Sequence, residues 1–93
     1  MTAKEAEEKY NKINPENVQR SINRINREMD KESPGRIVID GKLFRQWIFY
    51  MHEQNRAETE FIMNYFECLG FTVIADYESS YSGESQYRLR IRF

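Results

Sequence analysis

The sequence predicts an α+β domain: N-terminal helices followed by a β-α-β-β unit, a small three-stranded sheet packed by one long helix. Three observations predict it. Apolar residues recur at steps of three and four through residues 15–32. A second set keeps one helical phase from Leu43 to Leu69. Apolar and polar residues alternate in "FTVIADYE" (71–78) and "QYRLRIRF" (86–93). The organisation expected is a helical segment over 1–33 and a β-α-β-β core over 34–93, together one compact domain. A chain of 93 residues suits one domain.

The elements follow in order. "TAKE" fits a capping box, with Thr2 as N-cap and Glu5 at N3. This first helix runs to about Lys12 and is weak, because Ala3, Ala6, Tyr10 and Ile13 make a sparse apolar set. "NPEN" starts the second helix: Asn14 caps it, and Pro15 at N1 needs no N–H partner. Val18, Ile22, Ile25 and Met29 then form one narrow apolar stripe. Ser33-Pro34-Gly35 ends it as a turn.

"RIVID" reads as the first strand. The following "IDGK" raises two readings. Asp40-Gly41 suits a type I′ hairpin turn, which would make "KLFRQWIFYM" a strand. Against that, Leu43, Phe44, Trp47, Ile48 and Met51 share a helical face, and alternation fails at Leu43-Phe44. Phe61, Ile62, Tyr65, Phe66 and Leu69 fall in phase with that face, since eighteen residues are five full turns. The phase match selects a single helix over 42–69. Its polar interruption at Gln54, Asn55 and Glu58 then reads as a wet overhang, although "NRAE" also fits a second capping box. "ECLGF" supplies a Schellman-type end at Gly70. The last two strands pair as a hairpin around "SSYSGES". Tyr77 opposes Tyr87, and Asp76, Ile74 and Thr72 oppose Arg88, Arg90 and Arg92.

Composition excludes several function classes. No apolar run approaches the ~20 residues that span a bilayer, and "MTAKEAEEKY" has no signal-peptide core. Cys68 is alone, so no internal disulfide forms, and a cytoplasmic protein is expected. His52 is the only histidine, and no metal is expected. Asp40, Asp76 and Glu78 lie near strand ends without a motif to fix them as ligands. Glycines 35, 41, 70 and 83 are dispersed and build no phosphate loop. Ser79, Ser80, Ser82 and Ser85 lack a base. Cys68 and His52 point apart on a continuous helix. No enzyme, catalytic residue or cofactor is expected.

Binding is the remaining class. Net charge is −1, but it is distributed in blocks. Residues 10–31 carry five bases against three acids, residues 40–84 three against eight, and residues 85–93 three against none. Arg88, Arg90 and Arg92 line one side of the last strand. Charges there can protect a sheet edge, or can join Tyr81 and Tyr87 as partner-binding anchors. Only Arg88 has an expected partner, Asp76. Arg20, Arg24, Arg27 and Lys31, with Asn23 and Asn26 between them, oppose the apolar stripe of the second helix. They could meet phosphates and bases, but a pI of 5.9 lacks the basic footprint of a nucleic-acid binder. The leading expectation is a non-enzymatic protein-interaction module, a small regulator or inhibitor. Such compact, charge-patterned, cysteine-poor chains are frequent among phage and mobile-element proteins, anti-CRISPR proteins included. The alternative is a nucleic-acid-binding regulator. A homodimer through the 15–32 stripe is a further expectation.

Overall fold

The computed structural model describes residues 1–10, 12–79 and 85–93. The elements are α1 (Ala3–Tyr10), α2 (Pro15–Lys31), β1 (Gly35–Ile39), β2 (Lys42–Met51), α3 (Arg56–Cys68), β3 (Thr72–Ser79) and β4 (Ser85–Arg92). The strands form one antiparallel sheet in the order β1-β2-β4-β3. The α+β class holds. The sheet has four strands instead of three, and residues 42–51 are the additional one.

The expected long helix is therefore corrected. Asp40 and Gly41 have φ of 50° and 77°, the two positive values a type I′ turn requires. The turn folds β2 back on β1, pairing Ile39 with Lys42 and Gly35 with Gln46. Within β2, Phe49 and Met51 are buried and Trp47 is packed on the core, while Ile48 and Tyr50 point the other way. Phe49, which falls outside the helical face shared by Leu43, Phe44, Trp47, Ile48 and Met51, is 5% exposed. Leu43 shares the face of Trp47, Phe49 and Met51 but is 57% exposed, and the apolar Phe44 on the opposite face is what breaks the alternation. Among the described residues β1 and β3 are not neighbours but occupy opposite edges of the sheet.

α3 starts where the polar interruption stands. Asn55 is its N-cap, and the reciprocal capping box with Glu58 is complete. Gln54 and Glu58 are 8% and 4% exposed, so the wet-overhang reading is also corrected. The Glu58 carboxylate accepts from the backbone N–H groups of Asn55 (3.2 Å) and Asn14 (3.1 Å). Asn55 Nδ2 donates to the Lys12 carbonyl at 2.8 Å. The segment before α2 is thus tied to the start of α3. The end of α3 matches the expected Schellman pattern: Gly70 N–H donates to Glu67 and Phe71 N–H to Phe66, with Gly70 at φ 97°.

Both α2 and α3 lie on one face of the sheet. Val18, Ile22 and Ile25 of α2 and Ile62 and Phe66 of α3 form one core with Phe49, Met51, Val73, Leu89 and Ile91. Burial of each such side chain stabilises the fold by roughly 1.5–3 kcal/mol. At the sheet end, Trp47 stacks on Phe93 with centroids 5.3 Å apart, and its Nε1 donates to the Glu32 carbonyl at 2.9 Å. That bond secures the end of α2 to β2. The α2 stripe is consumed by this core, which removes the free surface that a dimer through residues 15–32 needs.

Candidate functional site: the open face of the sheet

Because the helices cover one face, the other carries side chains in cross-strand rows. The register places Tyr50, Arg88 and Asp76 in one row, Ile48, Arg90 and Ile74 in the next, and Gln46, Arg92 and Thr72 in the third. The β3–β4 half of this register is the one the sequence predicts. Ile48 and Tyr50 remain 47% and 44% exposed beside the arginines.

The arginines are held in place from within the chain. Arg88 pairs with Asp76 at 3.2 Å and Glu78 at 2.9 Å. Arg90 was expected to have no partner, but it reaches diagonally to the same Asp76 carboxylate at 2.9 Å. Arg92 was likewise expected to be alone, and its Nε donates to Gln46 Oε1 at 2.7 Å. Gln46 was invisible as a partner because residues 42–51 read as helix. Hydrogen bonding to Asp76 is the main cause raising the Arg88 guanidinium above its usual value; burial opposes this, and the Glu78 charge adds to it. These pairs are roughly a third exposed, so solvent screens them and their contribution to stability is small. Their larger effect is positional. Arg88 Nε and Arg90 Nε have no hydrogen-bond partner among the described residues, although the atoms are buried.

The remaining candidates separate. Tyr87 lies on the helix-covered face, half-buried, with its ring edge-to-face to Tyr77 at 5.5 Å. It does not join the arginines, because neighbouring residues of a strand face opposite ways. Tyr81 lies outside the described residues. On α2, Arg20, Asn23, Arg27 and Lys31 are exposed. Arg24 does not belong with them: its Nη2 donates to the Tyr50 carbonyl at 3.1 Å, and the side chain is half-buried against β2. Asn23 Oδ1 accepts from Gln19 Nε2 at 2.9 Å. His52 precedes α3 and Cys68 ends it, both exposed, so roughly 18 Å of helix separates them. No group of three or more His, Cys, Asp or Glu that could hold a metal occurs among the described residues. No helix among them is long and apolar enough to cross a membrane.

Sequence reasoning missed Ile48, Tyr50 and Gln46 as members of this face. The signal was Asp40-Gly41, whose hairpin preference outweighs the helical phase of the residues after it. It also assigned Phe61, Tyr65 and Leu69 to the packed face of a long helix. They are instead 49%, 39% and 58% exposed and line a shallow depression of about 360 Å³ with Asn64 and Cys68. Compared with known proteins, the chain has no significant match to a family model, a curated protein or a solved structure.

Proposed function

We propose that the protein is a non-enzymatic interaction module, a small cytoplasmic regulator or inhibitor that acts by occupying a surface of another protein. The carrying observation is the open sheet face, where Ile48 and Tyr50 stand exposed beside arginines braced by Asp76, Glu78 and Gln46. Apolar and aromatic groups next to fixed arginines are the composition of binding hot spots, and bracing lowers the ordering cost on association. The Arg88 and Arg90 side chains keep 31% and 26% of their surface exposed, and guanidinium groups there favour a partner surface bearing carboxylates.

The test is affinity capture with cross-linking, comparing the natural chain with Ile48→Glu and Arg90→Glu variants shown by circular dichroism to be folded. A specific partner retained by the natural chain and lost by both variants supports the reading. A partner retained by both removes the open face from it. A nucleic-acid reading rests on exposed Arg20, Arg27 and Lys31. It requires duplex binding that weakens steeply with salt, by a slope near −0.9 per phosphate contacted, and that fails when these three residues become alanine.

A further inference from the structure

The β1–β2 hairpin projects from the sheet as an arm. β2 pairs with β4 from Gln46 onward, and Arg45 exchanges backbone hydrogen bonds with Phe93, both at 3.0 Å. Lys42, Leu43 and Phe44 have no β4 residue beside them, so the arm extends about 10 Å past the sheet. Neither helix covers it. Val38 is 66% exposed and Leu43 57% exposed on one side, while Ile37, Ile39 and Phe44 are half-buried on the other. A strand apolar on both sides resembles the interior of a sheet, yet β1 is an edge. It carries no proline and pairs regularly with β2 along all five residues, so it lacks a bulge to discourage pairing.

The direction of its free backbone groups follows from the ladder. Arg45 turns its N–H and C=O to Phe93, so Lys42, Phe44 and Gln46 turn theirs to β1. Ile39, Ile37 and Gly35 receive them. Arg36 and Val38 therefore present their N–H and C=O outward along the edge.

We propose that this edge pairs with the same edge of a second copy of the chain, antiparallel about a two-fold axis at Val38. The segment "RIVID" is complementary to itself in that arrangement. Val38 meets Val38 through its outward N–H and C=O, Ile37 meets Ile39, and Arg36 meets Asp40 at both ends. Leu43 and Val38 of each copy then form one apolar row across the junction. The pairing also answers a local conflict. Arg36 and Arg45 are directly opposite in the hairpin, both exposed, a like-charge pair that an incoming carboxylate relieves. The resulting eight-stranded sheet would place two open faces in one continuous surface. The pairing itself does not depend on that face binding anything.

The full chain is tested by sedimentation equilibrium from about 10 µM to about 1 mM, the range in which small interfaces associate. A reversible monomer–dimer equilibrium is expected. Arg36→Glu faces Arg45 favourably within its own hairpin and Asp40 unfavourably across the junction, so it should leave melting unchanged or raised while weakening association about tenfold. Adding Asp40→Asn, which still tolerates positive φ, removes the repulsion and restores part of the loss. Val38→Lys places two ammonium groups at the axis and should abolish the dimer. A chain that is monomeric at every concentration overturns the proposal and leaves the edge to a different protein. So does a dimer indifferent to both β1 variants, or one lost through Phe61→Lys on α3 while the β1 variants are harmless.

Discussion

Replacing Glu58 by alanine tests the joint between the N-terminal segment and α3. The carboxylate is in a residue 4% exposed and accepts from two backbone N–H groups, those of Asn55 and Asn14. A buried donor left without its acceptor costs about 1–3 kcal/mol. Two such donors give about 2–6 kcal/mol, and both contacts are only partly buried, which places the expectation near 3 kcal/mol. Loss of a negative charge from the first turn of α3 adds about 0.5 kcal/mol. For a chain of this length each kcal/mol lowers Tm by about 4–8 °C, so a fall of at least ~12 °C is expected. Urea unfolding followed by circular dichroism measures the free energy, and calorimetry the temperature. Glu58→Gln keeps one acceptor oxygen but aims an NH₂ at a second donor, so it should fall between the natural chain and the alanine variant. A loss below about 0.5 kcal/mol for alanine would match a solvated surface residue and refute the buried joint.

Three other perturbations have defined outcomes. Phe66→Ala opens a cavity at a fully buried site of the core, beside the Phe71 ring, and should cost about 3–5 kcal/mol in urea unfolding. Gly41→Val places a β-branched residue at φ 77° in the hairpin turn, where nothing lies within 4 Å of the new Cβ; backbone strain alone should cost about 1–2 kcal/mol. A loss within ~0.3 kcal/mol there would argue against a type I′ turn. Asp76→Ala removes the carboxylate shared by Arg88 and Arg90, and because solvent screens these pairs the urea midpoint should change little. Its clearer effect is on dynamics: the two guanidinium groups should show increased motion in side-chain nitrogen relaxation.

Local chemistry was legible in the sequence wherever it acts through neighbouring residues. Asn14 and Pro15 begin α2 and Gly70 closes α3, as their side chains and dihedral preferences require, whereas the Asn55–Glu58 box that begins α3 was outweighed by the helical phase running through it. The β3–β4 register was legible too, because a one-residue slip would turn Leu89 and Ile91 out of the core. Residues 42–51 were not. Phe44, Ile48 and Tyr50 are apolar or aromatic yet face away from the helices, so the alternation that marks a half-buried strand was blurred.

Caps, turns and period-two patterning are local, so the α+β class, the start of α2, the end of α3 and the pairing of the last two strands could be read from residue order alone. The tertiary structure decided which faces are covered. It consumed the α2 stripe in the core, turned Arg24 onto β2, buried Glu58 and separated Tyr87 from the arginines. It also gave Arg90 and Arg92 their partners, Asp76 and Gln46. Those outcomes depend on strand order, β1-β2-β4-β3, which sets which side chains meet across the sheet and which no nearest-neighbour preference encodes.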